Sequence, residues 1–240
     1  MFGFFNNRKS LLESGLLRGA ADNHSHILFG VDDGVAKEEE SLAILEYLES
    51  EGLKTLWLTP HVMDDVPNAT DFLRTRFSLL KQAYNGTVDL RLSSENMMDR
   101  LYRERLRNRD FLLHSDDRIL IETSTWAPPM DFDDLIDLTM KMGYRPILAH
   151  PERYTYMEES DYRALHDKGV LFQLNIPSIV GVYGEAVESK ALSMLEKGWY
   201  SMVGSDCHRL RSIQGQFSSK ILKEEVIGKL DSLFHSAEEE

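Results

Sequence analysis

Side chains that could bind metal ions recur along this chain, close to the ends of short apolar runs. Histidine pairs or single histidines follow four of the runs, and glutamates end or follow two others. Imidazole and carboxylate donors together suit Zn²⁺, Mn²⁺ or Fe²⁺ better than Ca²⁺. The residues are His24, His26, His61, Glu95, Glu122, His150, Asp206 and His208.

Two of these groups have a spacing that would point both side chains the same way. In an extended segment residues i and i+2 face one side, so His24 and His26 can reach one ion. Asp206 and His208 have the same spacing, and Cys207 between them would then point away as a packing residue.

Each motif alone has an ordinary structural explanation, and other hydrolase schemes fit less well. A cysteine-dependent phosphatase needs an arginine six positions after its cysteine, and Ile213 occupies that position after Cys207. The chain contains neither a G-x-S-x-G elbow nor a phosphate-binding loop of the Walker type. The conjunction of the metal-binding residues therefore favours metal-assisted chemistry.

The apolar runs read as strands that alternate with helices. Glycines separate several helices from the next strand, and such alternation predicts parallel βαβ units. Seven units suggest an incomplete or distorted relative of the eight-stranded barrel, with an open doubly wound sheet as the alternative. A barrel would bring the six strand ends that carry candidate ligands to one mouth. The predicted strands are 20–23, 55–58, 88–92, 118–122, 144–149, 170–174 and 200–204, and the predicted helices 37–52, 70–84, 96–107, 132–142, 161–168 and 185–197.

Composition limits the class of protein. The 240 residues suffice for one large domain, and the net charge of −13 argues against nucleic acid as the main partner. One cysteine and no apolar run long enough for a membrane span predict a cytoplasmic protein. We expect an N-terminal extension over 1–20, a single domain over 21–235 and an acidic tail over 236–240.

In order and spacing, the segments DNHSHILFGVDDG, TPH, ILIE, AHPERY and GSDCH resemble the polymerase and histidinol phosphatase (PHP) superfamily. The similarity is greatest to the manganese-dependent bacterial protein-tyrosine phosphatases of capsule and exopolysaccharide loci, the CpsB/YwqE type. It runs from about Asp22 to about His208 and implies a distorted (β/α)₇ barrel with a trinuclear metal centre.

The resemblance implies a ligand set for three divalent ions, most typically Mn²⁺, with iron or Zn²⁺ as alternatives. The first ion would take His24, His26, Glu95 and Asp206; the second would share Glu95 and take Glu122 and His150; the third would take Asp33, His61 and His208. Asp32 is the alternative to Asp33.

The resemblance also implies a function: hydrolysis of phosphomonoesters by attack of a metal-activated hydroxide on phosphorus. Arg153 would bind the substrate phosphate, and Arg211 or Arg209 would replace a second arginine of the family. The implied substrate is a phosphotyrosine protein, such as the tail of a bacterial tyrosine kinase, which would be the protein's only link to a membrane. Histidinol phosphatase and a non-catalytic binding module are the alternatives. Phe29, Trp126, Pro128, Pro129 and Tyr183 would either line the substrate pocket or pack as ordinary loop residues.

Overall fold

The computed structural model describes residues 8–115, 117–219 and 221–235, so the predicted acidic tail lies outside the described residues. Parallel strands alternate with helices, as predicted. The strands are β1 Ala21–Asp22, β2 Thr55–Leu58, β3 His61–Val62, β4 Asp89–Leu92, β5 Glu95–Met97, β6 Arg118–Glu122, β7 Arg145–Ala149, β8 Leu171–Asn175 and β9 Tyr200–Gly204. The helices are α1 Leu11–Ser14, α2 Glu38–Ser50, α3 Thr70–Ala83, α4 Arg100–Asn108, α5 Phe132–Lys141, α6 Glu159–Lys168, α7 Ile176–Ile179, α8 Glu185–Glu196, α9 Leu210–Ser218 and α10 Glu224–Phe234, with a 3₁₀ turn at Pro151–Arg153.

The strands form seven positions of a closed barrel. They pair in the orders β1-β2-β4 and β3-β5-β6-β7-β8-β9. Only two residues separate β2 from β3, and only two separate β4 from β5, so each of these pairs counts as one of the seven positions. The first strand position meets the last, because the Asn23 backbone N–H and side-chain amide donate to the Val203 carbonyl over 3.1 and 3.0 Å, and the Asp206 N–H donates to the His24 carbonyl over 2.8 Å. The distorted (β/α)₇ barrel is therefore confirmed, and an open sheet is excluded by this closure.

The interior of the barrel has an apolar floor and a polar mouth. Leu120, Ile147, Ala149 and Met202 form a small buried cluster, separate from the larger core that packs the strands against the helices. Glu122 lies two residues beyond Leu120 on β6, so its side chain leaves the same face of the strand, one layer nearer the mouth. The floor thus closes the barrel beneath the carboxylates.

The segment after β4 differs from the predicted helix over 96–107. Residues Glu95–Met97 instead form β5, which pairs in parallel with β6. The helix begins only at Arg100, because Asp99 caps it by accepting a 3.1 Å hydrogen bond from the Tyr102 N–H. This short extra strand fixes the Glu95 backbone in the sheet.

The segments at the two ends of the described chain pack together on the barrel. Leu11, Leu16 and Leu17 of the predicted N-terminal extension are buried in the main core. Lys9 pairs with Leu222 in an antiparallel bridge just before α10. Helix α10 lies outside the helices predicted from the sequence. Among the described residues, none of the helices has both the length and the apolar character needed to cross a membrane.

Gly204 gives a test of the barrel closure. A Cβ atom at this position would lie 2.4 Å from the His24 Cβ and 2.9 Å from the Gln173 Nε2. We expect Gly204→Ala to lower the free energy of unfolding by about 1–3 kcal/mol, since strands β1 and β9 must move apart. Urea denaturation of the metal-free protein measures this change.

Gly215→Ala is the matched control for that substitution. Gly215 lies in α9, and nothing stands within 4 Å of a Cβ there. It should stabilise the protein by up to about 1 kcal/mol, as alanine does in helices. Equal stability of Gly204→Ala and the wild type would contradict the tight closure.

Candidate metal centre

The nine residues of the implied ligand set come together in the barrel mouth. Their potential ligand atoms form three overlapping groups, in each of which the atoms lie within 4.8 Å of one another, and His150 adjoins the third. The groups are His24, His26 and Asp206; His26, Asp33, His61 and His208; and His61, Glu95 and Glu122.

Glu95 belongs to the third group and also contacts the two histidines of the first. Its Oε2 lies 3.2 Å from the Nε2 of His24 and 3.3 Å from the Nε2 of His26. Its Oε1 lies 3.0 Å from the Nε2 of His150, which is 3.8 Å from Oε2 of Glu122. Glu95 is completely buried, so its position is consistent with the bridging role that the resemblance implies.

His61 belongs to two of the three groups. Its Nδ1 is 3.0 Å from Oε1 of Glu122 and 3.1 Å from Oε2 of Glu95, whereas its Nε2 is 3.6 Å from Oδ1 of Asp33. The Nε2 of His208 lies 3.4 Å from the same Asp33 oxygen. Asp33 belongs to the group at the solvent side, since 72% of its side chain is exposed.

Asp32 makes different contacts from Asp33. Its Oδ2 lies 2.9 Å from the Nδ1 of His26 and accepts a 3.0 Å hydrogen bond from the His61 N–H. Its Oδ1 accepts from the Gly34 N–H. With its hydrogen-bonding capacity committed in this way, Asp32 orients His26, and Asp33 is the carboxylate left facing the site.

Similar contacts orient the other imidazoles. The Nδ1 of His24 lies 2.8 Å from Oε1 of Gln173, and the Nδ1 of His208 lies 2.9 Å from the Asp206 carbonyl oxygen. Each contact directs the opposite nitrogen, Nε2, into the site. The Asn175 side chain in turn donates a 2.9 Å hydrogen bond to Oδ2 of Asp206.

Sequence reasoning missed Gln173 and Asn175 as supporting residues. Both lie at the end of the one predicted strand that carries no candidate ligand. A glutamine inside the otherwise apolar run VLFQL was the available signal, because a polar side chain in a buried strand needs a partner.

The three arginines considered for phosphate binding have different surroundings. Arg153 Nη1 donates a 3.2 Å hydrogen bond to Oδ2 of Asp206 in the mouth. Arg209 donates to the backbone carbonyls of Asp33 and Gly34 and so braces that loop. Arg211 is exposed on α9 and forms no hydrogen bond or ion pair with a described residue, so its role in phosphate binding stays a prediction.

Two ligand positions have an uncommon backbone. His150 has a φ of 37° and Asp206 a φ of 52°, both in the left-handed region that side chains rarely adopt. For Asp206 this replaces the extended geometry expected from the i, i+2 spacing. Such conformations occur at functional sites, where surrounding contacts hold them in place.

Electrostatics keep Glu95 charged despite its burial. Burial favours the neutral acid, but the imidazoles, His24 first, hold the pKa of Glu95 well below its ordinary value. Burial also opposes charge on His61, yet Glu95 and Glu122 outweigh it and raise the pKa of His61 to about 12. The pKa values of His24 and His26 are raised as well, so without another cation the acids draw protons onto these three imidazoles.

The residues present fit bound cations. Three buried atoms that face one another, His61 Nδ1, Glu95 Oε2 and Glu122 Oε1, have no hydrogen-bond partner among the described residues, although His61 Nδ1 lies 3.1 and 3.0 Å from the two oxygens. A divalent ion would give these nitrogen and oxygen donors a partner and would replace the protons as countercharge.

A family model described as capsular polysaccharide synthesis, CpsB/CapC, matches residues 20–226. The chain belongs to this family. Tyrosine-protein phosphatase YwqE of Bacillus subtilis is 30% identical over 207 residues, which cover 80% of this chain and 78% of YwqE. Tyrosine-protein phosphatase CpsB of Streptococcus pneumoniae is 30% identical over 205 residues, 80% of this chain and 84% of CpsB.

Solved structures agree with membership of the CpsB/CapC family. One from a study of YwqE and CpsB, described as unique metal-dependent tyrosine phosphatases, matches with a TM-score of 0.74 and 26% identity, covering 89% of this chain and 87% of that one. A lactonase from Listeria monocytogenes matches with a TM-score of 0.54 at 10% identity and shares the fold alone. The resemblance stated from the sequence motifs is confirmed.

Asp32→Ala and Asp33→Ala should differ in their effects on metal-free stability and on metal content. Asp32→Ala should destabilise even the metal-free protein by about 2–4 kcal/mol, because it removes a buried, multiply hydrogen-bonded carboxylate. Asp33→Ala should leave the metal-free stability within about 1 kcal/mol and reduce the metal bound per chain. Denaturation of the metal-free variants and elemental analysis of the loaded ones measure both effects. The reverse pattern would assign the ligand role to Asp32.

Proposed function

We propose that this chain is a metal-dependent protein-tyrosine phosphatase that acts on a regulator of capsular or exopolysaccharide synthesis. The observation that carries the proposal is the convergence of four carboxylates, five histidines and Arg153 in one barrel mouth, on a chain of the CpsB/CapC family. The relatives named above bear the name tyrosine-protein phosphatase, which favours this substrate class over histidinol phosphate.

The proposal includes three divalent ions, with Mn²⁺ as the preferred metal and iron or Zn²⁺ as alternatives. The three overlapping groups of donor atoms support this number. The first ion would be held by His24, His26, Glu95 and Asp206, the second by Glu95, Glu122 and His150, and the third by Asp33, His61 and His208. Such ions polarise phosphoryl oxygens and lower the pKa of a bound water.

The chain's own residues would bind and orient the phosphate. The Arg153 side chain is 26% exposed, and one of its guanidinium N–H groups donates to Asp206. The other guanidinium N–H groups make no hydrogen bond to a described residue. They can therefore form charge-assisted hydrogen bonds to phosphate oxygens at the rim. The apolar floor formed by Leu120, Ile147, Ala149 and Met202 closes the barrel to water from below.

The physiological substrate within this proposal is a phosphotyrosine segment of a bacterial tyrosine kinase. An extended tail of such a kinase can reach a site at the barrel mouth, whereas the phosphatase itself would meet the membrane only through the kinase. A cytoplasmic location is part of the same proposal and agrees with Cys207 being a free, buried thiol.

A substrate panel tests the proposed function. Protein expressed with Mn²⁺ should contain two or three ions per chain by elemental analysis and should hydrolyse a phosphotyrosine peptide, with loss of activity on chelation and recovery on re-addition of Mn²⁺. Histidinol phosphate should be a poorer substrate by at least about tenfold in kcat/KM. Less than one ion per chain, or a preference for histidinol phosphate, would contradict the proposal.

Arg153→Ala separates phosphate binding from metal assembly. It should lower kcat/KM for the phosphotyrosine peptide by about 10²-fold or more, since about two charge-assisted hydrogen bonds are lost. Lysine should restore activity only in part, because it lacks the planar guanidinium fork. Elemental analysis should find the metals retained in Arg153→Ala, whereas the control His150→Ala should lose metal together with activity. Full activity of Arg153→Ala would remove this residue from the site.

A further inference from the structure

The Tyr183 ring covers the guanidinium of Arg153 at the edge of the candidate site. The Cζ atom of Arg153 lies over the ring, 4.5 Å from its centre, which is within the range of a cation–π contact. Tyr183 is 38% exposed, so the ring borders both the arginine and the solvent-filled mouth.

The loop that carries Tyr183 is built as a defined turn. It follows α7, and Gly181 and Gly184 on either side of the dipeptide 182–183 have φ angles of 76° and 89°, which favour glycine. The Val182 N–H donates a 3.0 Å hydrogen bond to the Pro177 carbonyl, and the Gly184 N–H donates a 3.2 Å bond to the Gly181 carbonyl. The turn therefore holds Tyr183 in place beside the end of β8.

The guanidinium is thus held from two directions. Asp206 accepts one N–H of Arg153 at 3.2 Å, and the Cζ atom of Arg153 lies over the Tyr183 ring. A guanidinium placed over an aromatic ring can still donate its remaining N–H groups to a phosphate. A phosphate bound to those groups would bring its ester group next to the Tyr183 ring.

We propose that Tyr183 positions the Arg153 guanidinium for phosphate binding and forms an aromatic wall that selects aryl phosphates over alkyl phosphates. This inference rests on the proposed phosphatase function and names a residue that determines its substrate class. The phenyl ring of phosphotyrosine can pack against Tyr183 in an offset or edge-to-face arrangement. The shorter aliphatic ester of phosphoserine offers no aromatic face to this wall.

The neutral charge state of Tyr183 also suits a position beside the substrate phosphate. Burial, and after it the Asp206 carboxylate, raises the pKa of Tyr183 to about 12. The side chain is therefore a neutral phenol near neutral pH and adds no negative charge beside an incoming phosphate dianion.

The test compares two peptides that differ only in carrying phosphotyrosine or phosphoserine. With manganese-loaded enzyme, Tyr183→Leu should lower the ratio of kcat/KM for the two peptides by about tenfold, mainly through a higher KM for phosphotyrosine. It should also weaken inhibition by inorganic phosphate by about threefold or more, because the guanidinium loses its aromatic partner. Tyr183→Phe keeps the ring and should remain within about twofold of the wild type in both measurements.

Phe72→Leu is the matched control, since it removes another arginine–aromatic contact outside the mouth. Phe72 is 43% exposed on α3, with the Cζ of Arg76 5.5 Å from its ring. It should change neither the ratio nor the phosphate inhibition, and metal content should stay constant in all variants. If the wild type hydrolyses phosphotyrosine but Tyr183→Leu keeps the wild-type ratio or the wild-type phosphate inhibition, the inference is overturned. If the wild type does not hydrolyse phosphotyrosine, the proposed function itself fails.

Discussion

Compensation of buried negative charge is the constraint on which this barrel mouth depends. Glu95, Glu122 and Asp206 are drawn out of water into a small space, where an unpaired carboxylate is costly. The imidazoles lie close enough to Glu95 and Asp206 to keep these two ionised, and the pKa of Asp206 falls to about 2 because the histidines, His24 and His26 first, outweigh its burial. The cluster is stable only with cations in its midst, whether protons on histidines or metal ions. The parallel barrel serves this need because every strand delivers its polar end to the same place.

Residues behind the ligand cluster explain how the mouth keeps its shape although several carboxylates are buried in it. Asp22 lies before the first histidine, and its Oδ1 accepts hydrogen bonds from the N–H groups of His24, at 3.2 Å, and Ser205, at 2.8 Å. It therefore ties the ends of β1 and β9 together directly behind the ligands. Glu152 has a similar role within the 3₁₀ turn, where it accepts from the Asn175 N–H and the Tyr200 hydroxyl. Both carboxylates are buried, so they fix distances between strands that end in the proposed ligands.

The sequence predicted the strand ends and the residue types there because both depend on local pattern. An apolar run followed by a histidine or an acid can be read without knowing the neighbours of the run. The choice between Asp32 and Asp33 could not be read in this way, since it depends on His26 and His61 approaching one of the two carboxylates in space. The supporting roles of Gln173 and Asn175 depend likewise on partners from other strands. Helices α9 and α10 were missed although their apolar residues, such as Ile213 with Phe217 and Ile227 with Leu230, have helical spacing, so a local pattern was available there too.

The closure of the barrel between its first and last strands has a consequence for synthesis of the protein. Asp206, His208 and Arg209, which braces the loop after the first strand, are synthesised about 180 residues after His24 and His26. A nascent chain that ends before β9 has neither the partner strand for β1 nor the carboxylate beside His24. Because domains fold as units during translation, the histidines after β1 must wait for the last strand before the mouth is complete. The proposed ligand set for the first ion therefore exists only once β9 has been synthesised.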